Sequence, residues 1–503
     1  MKIVKSLMLG SAAGLLAMSG AQAADLPVKA KAVEYVKICS LYGAGFYYIP
    51  GTDTCIKLGG YLRVDAALGT NADYTQTRNN GLGGANNRLS NYYTARSRED
   101  LNIDTRTATE YGVVRTFFDA TFSWTTSNAN VTGTIGPVQN AGIAGSDTVG
   151  MYYAFIQFAG FTMGKAISQF DAPWTNYPGN SFDGLVGGSG TATGVNQLSY
   201  TADFGNGVSA TLSAQDAVGY YTSNLWNTSG FTTAGIVAGT YGAQSFGGAW
   251  APDLVGMLRV DQAWGLFQLS VAAHNNHASY YTLADETSGH PSDKWGFAVQ
   301  GALSIKNLPT GAGDTVNLQA IYTDGASRYN FQSLAITTFA MYGSTGLAGA
   351  YQSLGFAGVT DAVFGGTSVA NGSALELTKT WGFRGGFTHN WNPYWNSALY
   401  GAYAQVMYTD AGKTLVCANI TPILRAGSTC NPDFSVGQIG LITRWTPVKN
   451  LTFSADVTYT HLDQKYSGSI NAPAVAAVAK PAAVYELKDQ DSVSMLIRAQ
   501  RNW

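Results

Sequence analysis

Apolar and polar residues alternate along much of the chain. In residues 55–68 the even positions are apolar or small, while Lys57, Tyr61, Arg63 and Asp65 occupy odd positions. A period of two predicts a β-strand with one apolar face and one polar face. The length of the run suits a strand that crosses a membrane.

The next alternating run carries charge along one face. That face consists of Arg96, Arg98, Asp100, Asn102, Asp104 and Arg106, whereas Leu101 and Ile103 lie on the other face. The core of a soluble β-sandwich does not accept such a row, because buried charges are costly unless they are paired. A strand between lipid and water does accept it, so the pattern indicates a membrane-spanning strand.

Turn signals separate these runs at regular intervals. Seven short turns are predicted at 107–110, 159–160, 205–207, 262–265, 307–313, 390–393 and 446–450. Eight long connections are predicted at 70–91, 125–150, 168–195, 217–253, 277–293, 326–376, 411–432 and 465–490. With both termini on the short-turn side, this count requires sixteen antiparallel strands. We therefore predict an all-β fold, a transmembrane antiparallel β-barrel with short periplasmic turns and long external loops around a water-filled channel.

Aromatic residues cluster near the predicted strand ends, where girdles at the two membrane interfaces would place them. The cluster comprises Tyr92, Tyr93, Tyr152, Tyr153, Trp264, Trp391, Trp395, Tyr408, Trp445 and Trp503. Outer-membrane lipid is accordingly expected around the barrel.

Composition supports an exported membrane protein. Only 12% of the residues are charged and 46% are hydrophobic, and the formal net charge of −2 predicts no nucleic-acid partner. Lys2 and Lys5, a short apolar run and Ala21-Gln22-Ala23 predict a signal peptide at 1–23. A periplasmic N-terminal segment is then expected at 24–54, followed by the barrel at 55–503 in the bacterial outer membrane.

The four cysteines point to disulfides, since the chain is exported. They allow three pairings. Cys39 with Cys55 and Cys417 with Cys430 are preferred, because each of these pairs lies within one segment.

Signals for catalysis and cofactors are weak. The five histidines are not forced beside a nucleophile, and His274 and His277 are most simply loop residues. We expect no enzyme activity, no metal and no cofactor.

The C-terminal run 492–503 alternates up to Trp503. A final strand with a terminal aromatic residue resembles the signal that the outer-membrane assembly machinery reads, which makes that machinery an expected partner.

Two segments carry a family likeness. Residues 38–63, ICSLYGAGFYYIPGTDTCIKLGGYLR, resemble the N-terminal signature of the rhizobial-type porins of alphaproteobacteria, and residues 154–165, AFIQFAGFTMGK, resemble the hairpin before their constriction loop. The resemblance implies a homotrimeric sixteen-stranded passive channel with an inward-folded third loop, which lets small hydrophilic solutes and ions diffuse. A substrate-specific channel with a saturable site for a sugar or anion, and a plugged or adhesive barrel, are the alternatives.

The third loop, expected at 168–195, contains Asp171 and Asp183. The basic wall predicted opposite to it consists of Arg63, Arg98, Arg115, Lys165 and Arg498, all expected to face the lumen near mid-height. An acidic loop facing a basic wall would set up a transverse field across the narrowest part of the channel.

The wall also carries acidic candidates, namely Asp65, Asp100 and Asp119. Each lies near one of the predicted arginines, so the alternative hypothesis is a set of structural ion pairs. Acidic and basic candidates are equal in number, and the sequence therefore predicts no sign of ion selectivity.

Overall fold

A computed structural model describes residues 37–69, 84–126, 149–174, 184–190, 193–239, 241, 245–282, 285–331 and 338–503. Sixteen long strands follow one another along this part of the chain: β1 Thr54–Gly69, β2 Tyr93–Thr109, β3 Gly112–Thr125, β4 Val149–Phe158, β5 Phe161–Ala166, β6 Val195–Asp203, β7 Val208–Gln215, β8 Asp253–Gln262, β9 Gly265–Asn276, β10 Lys294–Lys306, β11 Thr315–Asp324, β12 Lys379–Asn392, β13 Trp395–Met407, β14 Phe434–Val448, β15 Leu451–Gln464 and β16 Gln490–Asn502.

Each strand pairs antiparallel with the next, and the last strand pairs with the first. In the closing pair, Tyr61 of β1 lies opposite Asn502 of β16, and Asp65 lies opposite Arg498. The sheet is therefore a closed barrel, and the predicted sixteen-stranded antiparallel barrel is confirmed.

Short turns join the strands at the periplasmic end. They lie at 110–111, 159–160, 204–207, 263–264, 307–314, 393–394 and 449–450. Asn206, Asn307 and Asn450 adopt positive φ angles in three of these turns, a conformation that asparagine tolerates better than most residues. The external connections, here called loops 1 to 8, are residues 70–92, 126–148, 167–194, 216–252, 277–293, 325–378, 408–433 and 465–489.

Alternation assigns the two faces of the wall. Leu62 and Val64 of β1 are 52% and 48% exposed on the outward face, whereas Asp65 is 1% exposed on the lumen face. Exposed aromatics such as Trp264, Trp391 and Trp503 lie at the turn end, as a girdle requires.

Three aromatics predicted for the girdles lie elsewhere. Arg98 donates to the Tyr152 hydroxyl, and the Tyr153 ring packs at a tilt against Phe117 on the same lumen face. Tyr408 is buried among the external loops.

A short N-terminal segment closes against the periplasmic end of β1. It contains a 3₁₀ turn at Ser40–Tyr42 and a two-residue strand, Tyr47–Tyr48, which pairs with Ile56 and Cys55. Cys39 and Cys55 form a disulfide with a Cα–Cα distance of 6.1 Å, and Phe46 packs beside it. The predicted pairing is confirmed.

The long loops contain secondary structure of their own. One small sheet consists of Phe339–Gly343, Gln352–Ala357, Ala483–Leu487 and Gly468–Ala472, and a second consists of Glu376–Leu377, Thr360–Phe364 and Asn224–Asn227. The α-helices are Thr233–Ala238 and Asp410–Ile420, and further 3₁₀ turns are Thr228–Gly230, Glu286–Ser288, Ser327–Tyr329, Thr421–Ile423 and Ala476–Val478. Among the described residues, no helix combines the length and the apolar character needed to span a bilayer.

These elements form an external cap, which we define as residues 224–239, 338–377, 408–433 and 465–489. Its core is apolar and includes Trp226, Val237, Phe356, Val416 and Ile470. A second disulfide, Cys417–Cys430, confirms the other predicted pair and ties the longer helix to the end of loop 7, with a Cα–Cα distance of 5.8 Å. The cap is therefore a packed structure held together by contacts between four loops.

We expect the double variant Cys417→Ser/Cys430→Ser to loosen the cap without opening the barrel. Closing a loop of this size stabilises a fold by about 3 kcal/mol, and this disulfide joins cap residues only. Limited proteolysis of the folded protein should then cleave loop 7. The barrel should stay folded, which the migration of an unheated sample in gel electrophoresis measures.

Cys39→Ser/Cys55→Ser is the matched control, since its disulfide lies at the periplasmic end. It should leave the protease resistance of loop 7 unchanged. Equal resistance in both double variants would contradict a stabilising role for Cys417–Cys430.

Candidate pore constriction

Arginines line one side of the lumen, on β14, β16 and β1 to β3. They are Arg444, Arg498, Arg63, Arg96, Arg98, Arg106 and Arg115, all on the inward register. Alternation brings them to one face, and the pairing of β16 with β1 makes the face continuous.

Arg63 and Arg98 lie directly opposite each other on β1 and β2. Arg63 Nε donates to Gln500 Oε1 at 2.8 Å. Arg98 donates to Ser123 Oγ at 2.8 Å and to the Tyr152 hydroxyl at 2.7 Å. Neutral side chains thus hold both guanidinium groups, and neither forms an ion pair among the described residues.

Other wall arginines form ion pairs with shared aspartates. Asp65 accepts from Arg96 at 2.6 Å and from Arg498 at 2.7 Å. Asp104 forms ion pairs at 3.0 Å with Arg106 and with Arg115. The ion-pair hypothesis therefore describes Arg498 and Arg115 but not Arg63 or Arg98.

Asp100 of β2 and Asp119 of β3 are diagonal neighbours on the lumen face, and Asn102 lies directly opposite Asp119. The Asn102 amide donates to both carboxylates, at 2.7 and 3.2 Å. These two predicted acidic wall residues are brought together on the lumen face.

Lys165 does not face the lumen, and the prediction for this residue is wrong. It pairs with Ala154 and Asn196 on the outward register, in step with exposed Met163, while Thr162 and Ala166 point inward. Its ammonium donates to the Met151 carbonyl at 2.6 Å. Arg115 does face the lumen, but it lies near the periplasmic end because β3 begins at Gly112.

Loop 3 crosses the lumen and lies against the opposite wall. Polar side chains that project inward from β9 to β12 and β14 hold its backbone. They are Gln268, Gln300, Gln319, Arg384 and Gln438, all at most 5% exposed. We call this set the polar ladder.

The ladder satisfies the loop backbone at several points. Gln268 donates to the Asp171 carbonyl at 2.9 Å, and Gln300 donates to the Phe170 carbonyl at 3.1 Å. Arg384 donates to the Ser189 carbonyl at 2.6 Å and to Gln319 Oε1 at 2.6 Å. A buried loop needs such partners, because unpaired backbone groups are costly.

A glycine permits the closest approach of loop 3 to the wall. Gly187 has a φ of +86°, and a Cβ atom there would lie 2.2 Å from the Phe383 carbonyl oxygen of β12. Its amide donates to Asn330 of loop 6 at 3.1 Å. Any larger residue would push loop 3 off the ladder.

Asp171 is 1% exposed within loop 3. Its carboxylate accepts from Ser189 Oγ at 2.6 Å and from the Tyr221 hydroxyl at 3.2 Å. Burial and the Asp171 charge raise the pKa of Tyr221 well above its usual range, so the phenol keeps its proton. Asp171 thus ties two parts of loop 3 to loop 4 and is not a water-facing charge, while Asp183 lies outside the described residues.

Apolar residues fill the lumen beside the ladder. Tyr400 and Phe434, on the inward register of β13 and β14, are buried together with Leu185 and Val186 of loop 3 in the core that continues into the cap. The space along the arginine side is therefore the part of the lumen that these residues leave open.

Sequence reasoning placed Arg96 and Arg106 on the charged face of their strand but left them out of the predicted basic wall, and it missed Arg444 and the whole polar ladder. The alternation of polar and apolar residues could have identified both sets, because each of these residues occupies an inward-facing position of its strand. The sequence of a single strand does not show which inward residue will contact a loop that is distant in the chain.

Comparisons with known proteins agree with this geometry. The family model described as Porin subfamily matches residues 25–496. Porin Omp2b of Brucella suis biovar 1 (strain 1330) is 32% identical over 336 residues, covering 64% of this chain and 85% of that protein. Porin Omp2b of Brucella neotomae is 33% identical over 309 residues, covering 61% and 75%.

Among solved structures, the outer membrane channel DcaP of Acinetobacter baumannii aligns with a TM-score of 0.57 at 14% identity, covering 91% of this chain and 99% of that one. At that identity the likeness concerns the fold alone. Together with the family match over nearly the whole length, it leads to one conclusion: this chain belongs to the porin subfamily and is an outer-membrane channel for passive diffusion, not an enzyme.

Proposed function

We propose that solutes cross the barrel along its arginine side, between loop 3 and the wall of β14, β16 and β1 to β3, and that this path favours small hydrophilic anions. The observation that carries the proposal is the pair Arg63 and Arg98, which lie opposite each other on the lumen face. Their partners are neutral, so both positive charges act on ions in the channel.

Electrostatics supports the preference for anions. Charges of one sign in a narrow channel with low-dielectric walls concentrate ions of the opposite sign. Asp65 is shared between Arg96 and Arg498, and Asp104 is shared between Arg106 and Arg115. Each cluster therefore has one more formal positive charge than negative charge. With Asp100, Asp119 and Asp456 of β15 included, the seven wall arginines still outnumber the five aspartates described on this side of the lumen.

The filled half of the lumen supports the location of the path. The polar ladder and loop 3 satisfy one another's hydrogen bonds, and the inward face of β13 from Ala398 to Val406 is buried in the apolar core. A close-packed region of this kind leaves no space through which water and ions could pass. Asp171 acts in this proposal as a brace for loop 3, and Asp183 remains the predicted acidic group opposite the arginines.

The proposal extends to targeting and assembly. A signal peptide at 1–23 is removed, residues 24–54 form a periplasmic segment before the barrel at 55–503, and three copies assemble in the outer membrane. Outer-membrane lipid contacts the outward face, and the assembly machinery reads β16 together with Trp503. The exposed apolar outward face supports the lipid contact, and the position of Trp503 next to the last strand supports the assembly signal.

Replacing Arg63 and Arg98 by glutamine should weaken the anion preference. Two unit charges about 8 Å from a passing ion contribute about 0.2 kcal/mol each in water-like surroundings when salt screens them over one Debye length. Because they oppose a cation as much as they favour an anion, the anion-to-cation permeability ratio of Arg63→Gln/Arg98→Gln should fall about fourfold. Reversal potentials in planar bilayers under a salt gradient measure this ratio.

Arg501→Gln is the matched control. It removes the same charge from the outward register near the periplasmic end, where Arg501 pairs with Leu62. The control should keep the ratio of the unmodified protein. A double variant with an unchanged ratio, or an unmodified channel that prefers cations, would contradict the proposal.

Replacing Arg384 should release loop 3. Arg384→Met leaves the Ser189 and Leu185 carbonyls without this donor, and each unpaired buried group costs about 1–3 kcal/mol. Single-channel recordings should show larger current fluctuations, as loop 3 moves into the open path.

Arg501→Met serves as the control for the loss of a guanidinium. Arg501 lies on the outward register opposite Leu62, on the other side of the wall from loop 3. Its current trace should resemble that of the unmodified channel, and equally quiet traces from both variants would exclude Arg384 as the anchor.

A further inference from the structure

A row of aromatic rings lines the lumen on β3 and β4. Phe117 of β3 lies directly opposite Phe155 of β4, and Tyr153 occupies the next inward position of β4. The Phe117 ring centroid is 5.5 Å from that of Phe155 and 6.2 Å from that of Tyr153. The Tyr152 ring continues the series, 6.5 Å from Tyr153. We call these four residues the aromatic row.

The aromatic row departs from the usual polar character of a porin lumen. Water-filled barrels have polar inward faces, and β15 and β16 follow that pattern with Ser454, Arg498 and Gln500. Each ring of the row is partly exposed, and none belongs to an apolar core of the described residues. Exposed apolar surface of this kind marks places where a ligand binds.

Guanidinium groups lie at both ends of the aromatic row. At the external end, Arg98 lies over the Tyr152 ring at 5.6 Å. At the periplasmic end, Arg115 lies over the rings of Phe117 and Phe155, at 5.1 and 5.5 Å. Arginine stacks on aromatic faces and still offers N–H donors to a carboxylate. The row is therefore a continuous aromatic surface between two positive charges.

The aromatic row ends at a hollow in the periplasmic mouth of the channel. This cavity has a volume of about 580 Å³, and its lining includes Tyr42, Arg106, Arg115 and Gln157. Both arginines share Asp104, so one formal positive charge remains between them. No described residue accepts a hydrogen bond from Arg106 Nη1, which leaves donors for an anion. A hollow of this volume suits a small organic molecule.

The chemistry of the row and the hollow discriminates among small solutes. A flat aromatic solute can stack on the rings of the row, and a carboxylate on that solute can form paired hydrogen bonds with a guanidinium. A neutral sugar lacks the charge that the arginines attract. A saturated carboxylate lacks the flat π face. A solute that combines an aromatic ring with a carboxylate interacts with the whole path.

We propose that the aromatic row is a binding path for aromatic carboxylates, which stack on its rings while the carboxylate moves from Arg98 to the hollow at Arg106 and Arg115. This inference rests on the proposed function, because it names the class of anion that the arginine side of the lumen prefers. The charges of the arginines favour anions in general. The rings add the preference for an aromatic anion.

Block of the chloride current tests the solute class. Benzoate and cyclohexanecarboxylate carry the same charge and are similar in size, but only benzoate is flat and aromatic. In planar bilayers in potassium chloride, benzoate should reduce the current with a half-blocking concentration about fivefold lower than that of cyclohexanecarboxylate, since an aromatic contact contributes about that factor. Equal half-blocking concentrations, or no block by benzoate, would overturn the inference.

Removal of two rings tests the location of the path. Phe117→Leu/Phe155→Leu keeps apolar side chains at both positions and keeps every charge. Its half-blocking concentration for benzoate should rise to that for cyclohexanecarboxylate. Phe267→Leu/Phe297→Leu is the matched control, since it removes two exposed rings from the outward face of β9 and β10, and benzoate should block it like the unmodified channel. Unchanged block of Phe117→Leu/Phe155→Leu would overturn the inference.

Reversal potentials in potassium chloride separate this inference from the proposed function. Phe117→Leu/Phe155→Leu retains Arg63 and Arg98, so its anion-to-cation permeability ratio should equal that of the unmodified channel. An unmodified channel that prefers cations contradicts the proposed function. Equal block by the two carboxylates in a channel that prefers anions contradicts the aromatic path alone.

Discussion

A strand inside a membrane finds no water for its backbone groups, and this constraint explains the architecture. Every N–H and C=O must find a neighbouring strand, so the sheet has to close. The pairing of β1 with β16 achieves closure. It also brings Arg498 beside Asp65 and Gln500 beside Arg63, so the bonds that remove the sheet edge also assemble the arginine wall.

Closure of sixteen strands leaves a lumen wider than its own side chains can fill, and the chain divides that space. Loop 3 binds the polar ladder, and the apolar core beneath the cap occupies the adjoining side. The arginines line the remaining side of the lumen, where they bond to neutral side chains or to shared aspartates. A packed half and a charged half together account for a channel that is narrow yet open to water.

The sequence predicted the features that depend on the local alternation of residues. It did not predict the contacts between segments that are distant in the chain. Alternation and turn signals yielded the strand count and the lumen side of Arg63 and Arg98. Cross-strand register decides that Asp65 meets Arg96 and that Arg63 meets Arg98, and no single strand encodes register. The cap was missed for the same reason, since its core joins residues as distant as Trp226 and Ile470.

Thiol accessibility tests the divided lumen most directly. Ser123 lies beside Arg98 on the arginine side, whereas Ser270 lies beside the ladder residue Gln268 and is fully buried. In the folded protein, Ser123→Cys should react quickly with a small anionic thiosulfonate, faster than with a cationic one, and Ser270→Cys should remain unmodified. Equal modification of the two cysteines, or faster reaction at Ser270→Cys, would contradict a solute path along the arginine wall.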